Sequence, residues 1–135
     1  MKASSLSFRA AVLFVIAGMI WGIIMGISEN HATMPAHAHL NLLGWVSLFL
    51  IGTYYRLNPA LERSRSAILQ VWTWIAGTVV LTTGVGLIFS GHPGGDPIAA
   101  IGSFIVLFAA LWFGWIVYRR EGAKEGASAV LSPAE

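Results

Sequence analysis

His37-Ala38-His39-Leu40-Asn41-Leu42-Leu43-Gly44-Trp45 opens an apolar run that continues to Leu57. That length approaches the ~20 residues a helix needs to cross a hydrocarbon core. Histidine is costly in hydrocarbon, and ionisable side chains placed in a span point to a function. The stretch therefore reads as the start of a transmembrane helix whose histidines are ligands.

Working outward, three more apolar runs flank this one. The expected helices cover residues 10–28, 36–57, 67–90 and 97–118, an all-α integral membrane four-helix bundle in a single transmembrane domain. Composition agrees. Hydrophobic residues make up 56% of the 135-residue chain and charged residues 10%, against about 25% charged in soluble domains. The mean hydropathy is +0.73. Too few charges remain to cover a water-facing surface, and a net charge of only +2 gives nucleic acid no footprint. The absence of cysteine excludes disulfides, iron–sulfur clusters, zinc–thiolate sites and covalent haem attachment through C-x-x-C-H.

The ends of the runs carry their own signals. Met1 to Arg9 reads as a short polar lead. Ala36-His37-Ala38 imitates a cleavage site, but a signal-peptide core spans ~7–15 residues, so the longer run at 10–28 is expected to be a retained helix. Gly18, Gly22 and Gly26 fall at intervals of four, a stripe that admits a second helix or a flat cofactor close to the backbone. Pro35 suits the first turn of the second helix. Tyr54-Tyr55-Arg56 reads as an interfacial edge, and Asn58-Pro59 as a helix stop. Trp72 and Trp74 are expected at interface depth. Thr82 and Thr83 are expected to bond carbonyls of the preceding turn. The Gly- and Pro-rich segment from Ser90 to Pro97 reads as a tight turn. Residues 119–135 are expected to form a frayed cytoplasmic tail.

Charge sets the orientation. Lys2, Arg9, Arg56, Arg63, Arg65, Arg119, Arg120 and Lys124 are all the basic residues, and four spans put them on one side. The positive-inside rule makes that side cytoplasmic, with both termini inside. The expected location is the bacterial inner (cytoplasmic) membrane, multi-pass. His31, His37, His39 and His92 then share the opposite, outer end with Glu29, Met34 and Asp96. Neutral imidazole is a common metal and haem ligand. Along a helix, positions 37 and 39 point about 200° apart, so they cannot both aim at one iron.

His39-Leu40-Asn41-Leu42-Leu43-Gly44-Trp45, followed by Gly52-Thr53-Tyr54-Tyr55, resembles helix II of the heme-copper oxidase superfamily catalytic subunit, most closely its nitric oxide reductase and C-type oxidase branch. The resemblance covers the first two helices. It implies a haem b protein in electron transfer or a respiratory oxidase- or reductase-like role, with His39 as an axial iron ligand. By elimination His92 or His37 would be the second ligand, and Asn41 and Trp45 would lie near the cofactor. Trp21 and Trp45 would offer an aromatic wall. No arginine lies on the outer side, so propionates would need Asn30, Asn41, backbone N–H groups, water or His31. The family's His-x-His helix, copper-ligating His pair and cross-linked Tyr motif are not recognisable here. Its helices form pseudo-threefold arcs of four, an arrangement this chain could rebuild as a homotrimer served by an electron-donor protein; four-helix bundles also bind haem within one chain or as dimers, with His92 then approaching from the loop after the third helix. Two other readings stand beside this one. The first is an outer-side copper or other metal site built from His31, Met34, His37, His39 and His92, whose soft and imidazole ligands suit copper. The second is an accessory subunit of an oxidase without a cofactor.

Overall fold

The computed structural model describes the backbone of residues 1–131 and side chains as far as Arg120. The described residues are helical, without a strand. They form α1 (Ala3–Ser28), α2 (Met34–Leu57), the single turn α3 (Pro59–Glu62), α4 (Arg65–Phe89) and α5 (Gly95–Leu131). α1, α2, α4 and the Gly95–Arg120 part of α5 are each long and apolar enough to cross a membrane. A helix satisfies its own backbone N–H and C=O groups, which hydrocarbon cannot do. Broad apolar flanks remain uncovered, including Ile16, Ile20, Ile23 and Ile27 on α1 and Phe104, Leu107, Phe108 and Leu111 on α5. Such flanks suit hydrocarbon rather than water.

Two ends differ from expectation. α1 starts at Ala3, so the polar lead is its first two turns. Ser4 and Ser7 are buried there, and the Ser4 hydroxyl donates to the carboxylate of Glu62. A tertiary partner thus draws serine, a modest helix former, into the helix. At the other end α5 continues beyond Tyr118 to Leu131, through a segment rich in Ala, Glu, Lys and Arg that favours helix. Residues 132–135 of the expected tail lie outside the described residues.

The helices pair as two antiparallel hairpins. In the first, glycines on each helix receive side chains from the other. Asn41 sits over Gly18 and His37 over Gly22, while Phe14 sits over Gly44 and Phe8 over Gly52. Two positions of the small-residue stripe of α1, Gly18 and Gly22, are therefore filled by α2 side chains, while Gly26 stays open. In the second hairpin, Gly84 lies against the backbone of Ala99 and Gly102 against that of Leu81, an approach only small residues permit. α4 is the central helix. Half of its apolar window is buried, against 17% for α1 and for α5.

Polar side chains tie the hairpins together where the basic residues gather. Glu62 accepts from Ser4 and pairs with Lys2 (3.1 Å) and Arg56 (3.5 Å). Deeper in, fully buried Gln70 accepts from the Tyr55 hydroxyl (3.1 Å) and donates to the carbonyl of Ala109 (3.1 Å). One amide thereby joins α2, α4 and α5.

The least expected feature is inside α2. From Leu40 to Ser47 it winds as a π-helix, a wider coil that recurs at functional sites. Side chains bond two carbonyls of this segment. The Trp74 indole donates to Leu43 O (3.0 Å) and the Ser47 hydroxyl to Leu42 O (2.8 Å).

Candidate functional site

His39 is the last residue before the π segment. Its Nδ1 lies 2.7 Å from the backbone carbonyl of Pro35, one turn earlier. A carbonyl can only accept, so Nδ1 carries the proton, and in the neutral ring Nε2 is the nitrogen that presents a lone pair. Ligating histidines are commonly oriented in this way, by a bond from the second ring nitrogen to a carbonyl or carboxylate. The preceding proline contributes indirectly, because it starts the helix that aims this carbonyl.

His39 lines an open groove of ≈ 780 Å³, within the usual range of small-molecule sites. One wall is α2, through Ala38, Leu42 and Leu43; the floor is Trp74 and Leu81 of α4; the other wall is α5, from Ser103 to Ala110. The cause of the groove is a seam that closes at only one end. Phe113 of α5 meets the rings of Tyr54 and Tyr55 edge-on at 5.4 and 5.9 Å. Toward His39 the two helices leave α4 exposed between them. The groove follows α4 and α5 for about two turns, roughly 10 Å, a span comparable to a porphyrin. His39, Ser103 and the indole of Trp74 are its polar side chains, the indole being engaged by Leu43 O.

The remaining candidates lie elsewhere. His37 faces α1, with its ring over Gly22. Asn41 donates to the His37 carbonyl (2.9 Å) and has its amide nitrogen 3.4 Å from both ring nitrogens. The two histidines thus leave α2 on opposite sides. His31 is exposed in the α1–α2 loop, with Nδ1 3.3 Å from Glu29 O. His92 is exposed in the α4–α5 turn, where its backbone N–H donates to Leu87 O (3.0 Å). Trp45 is 43% exposed on the outside of α2 and does not line the groove. Trp21 donates to Thr33 (3.0 Å) and packs near Gly86. Among the described residues, no three His or acidic side chains gather in a way that would hold a metal ion.

Trp74 belongs to the site and was not identified from its neighbours in the chain. Proximity in sequence pairs it with Trp72 as an interfacial residue. The two point about 200° apart on one helix. Trp72 is 48% exposed whereas Trp74 is 8% exposed. That angular split was the available signal. Thr82 also departs from expectation, because its buried hydroxyl has no hydrogen-bond partner among the described residues.

The fit of the groove to haem can be judged from its donors. One imidazole with Nδ1 held by a carbonyl, beside an open and mainly apolar groove, would suit an iron ligand and a porphyrin face. The groove's own residues provide no second nitrogen ligand and no cation for propionates. Comparison of the chain with known protein families, curated proteins and solved structures finds no match.

Proposed function

We propose that this chain is a multi-pass protein of the bacterial cytoplasmic membrane, with both termini inside, that binds haem b at His39 and serves electron transfer. In this reading it is a short relative of the heme-copper oxidase catalytic subunit. The observation that carries the proposal is the 2.7 Å contact from His39 Nδ1 to Pro35 O, which prepares Nε2 for a ligand inside an apolar groove. Bound haem would supply one-electron redox chemistry. The chain's part is to ligate, orient and exclude water. His39 would hold the haem iron through Nε2, with Pro35 O fixing its tautomer. Leu42, Leu43, Trp74, Leu81 and Leu107 keep the local dielectric low, which strengthens electrostatic control of the site.

The open side of the groove and its single imidazole favour completion by a second copy, in a homotrimer. The basic residues at one end of the bundle support the inside location of the termini.

The test is a detergent-purified preparation of known mass. It should show a Soret band and a b-type pyridine haemochrome. His39→Ala should lose both while still inserting and assembling. His37→Ala should keep them, because His37 faces α1. An unchanged haem spectrum in His39→Ala would refute the assignment. A colourless protein with stoichiometric copper would favour the metal-site reading, and one with neither group the accessory-subunit reading.

A further inference from the structure

A second cavity, of ≈ 330 Å³, lies at the opposite end of the bundle from His39. It forms where the α3–α4 corner meets α5. Its cations are Arg119 and Arg120, its hydroxyls are Ser64 and Ser66, and its apolar wall is Leu61, Trp115 and Ile116.

Each polar group is left ready to donate. Ser64 Oγ caps α4 by accepting from the N–H of Ala67 (3.1 Å). Ser66 Oγ accepts from the Trp112 indole (3.1 Å). Both oxygens are held by these bonds, and both O–H protons remain available. The Arg119 guanidinium lies 5.1 Å from the centre of the Trp115 ring. Arg120 Nε is enclosed and has no hydrogen-bond partner among the described residues. Among the described residues, no carboxylate belongs to the lining. The 25-residue helix α4 starts at this point with no acidic residue in its first turn, so its positive end adds to the two guanidinium charges.

We infer that this cavity seats the phosphate of an anionic phospholipid. Guanidinium forks and hydroxyls suit phosphate oxygens. The wall of Leu61, Trp115 and Ile116 suits the start of an acyl chain, which free phosphate would not use. A headgroup carrying its own cation would meet two guanidinium charges and no carboxylate among the described lining residues. Depth agrees as well, because Trp112, Trp115 and Tyr118 form an aromatic band of the kind found at membrane interfaces. The inference requires only that the helices span a bilayer and is independent of haem at His39.

The test measures binding of phosphatidylglycerol and phosphatidylcholine to delipidated protein in neutral detergent, by native mass spectrometry. Phosphatidylglycerol should bind in preference. Arg119→Gln and Arg120→Gln should each weaken it about five-fold, from the ~1 kcal/mol per basic residue at an anionic surface. Arg63→Gln lies outside the cavity and should leave binding unchanged. Excess inorganic phosphate should not displace the lipid. Equal affinity for the two lipids, wild-type binding by the double Gln variant, an equal loss in Arg63→Gln, or full displacement by phosphate would each overturn the inference. Should the Gln variants fail to fold, the two-lipid comparison on the wild type decides it.

Discussion

Replacing glycines by alanine gives a graded test of how closely these helices approach. At Gly18 an added Cβ would lie 2.5 Å from Asn41 Oδ1, 2.7 Å from Nδ2 and 2.9 Å from Cγ. Asn41 cannot withdraw freely, because its Nδ2 donates to His37 O at 2.9 Å. Losing that bond costs about 1 kcal/mol, and overpacking adds roughly 1–3 kcal/mol. Better helix propensity returns about 0.5–1 kcal/mol. Gly18→Ala should therefore destabilise by about 2 kcal/mol. At Gly22 the nearest atom is His37 Cε1 at 3.2 Å. A small ring shift relieves this, and the propensity gain of about 0.5–1 kcal/mol brings the net change near zero. Gly26 has nothing within 4 Å, so Gly26→Ala should be neutral or slightly stabilising. At Gly84 the Cβ would meet Ala99 N at 2.2 Å and Cα at 2.6 Å. Those are backbone atoms, no rotamer helps, and α4 must part from α5 at a cost of at least about 3 kcal/mol. Thermal unfolding in detergent, followed by tryptophan fluorescence and size-exclusion, should rank the variants Gly26, Gly22, Gly18, Gly84 from most to least stable. Gly84→Ala melting like the wild type, or Gly18 and Gly26 giving equal shifts, would refute the packing. Gly18→Ala carries a functional corollary. It disturbs Asn41 and His37 but not the opposite side of α2, so a haem spectrum owed to His39 should survive it.

Two further predictions concern the polar ties. Tyr55→Phe leaves Gln70 Oε1 without its donor and should cost about 0.6–1.7 kcal/mol, the range for hydrogen bonds between membrane helices; a denaturant titration in mixed micelles that shows no loss would remove Gln70 from its joining role. At Glu62 the hydrogen bond from Ser4, then that from Lys2, with the charges of Lys2 and Arg56, hold the carboxyl below its ordinary value of 4.5 despite the opposing effect of burial. The folded form therefore releases this proton more readily than the unfolded chain. The resulting stability is present above pH 4.5 and is lost as pH falls through the lower, folded value. Glu62→Gln should flatten the acid limb of a melting-temperature profile; an acid limb identical to wild type would show that this cluster does not set it.

Several features were legible along the chain because their causes are local. Apolar runs of spanning length mark the four helices, Asn58-Pro59 ends the second, and Gly and Pro mark the turn before the last. The opposition of His37 and His39 follows from helical period alone. Other features depended on distant partners. Ser4 is helical and buried because Glu62 reaches it from α3, and the Met1–Arg9 segment carries no local trace of that bond. Leu40–Ser47 winds as a π-helix beside Trp74, which is remote in sequence.

What the chain by itself determined was therefore the number and order of the spanning helices, and the clustering of histidines at one end and cations at the other. Tertiary structure decided the rotation of each helix about its axis. That rotation put His39 rather than His37 into the groove, Trp74 inside with Trp72 outside, and Arg119 and Arg120 beside two serines. The physical reason is the solvent. In water, hydrophobicity tells a helix which face to bury. In hydrocarbon, lipid and protein interior are equally apolar, so rotation is set by close packing at small residues and by scattered hydrogen bonds. Those contacts exist only once the helices have met.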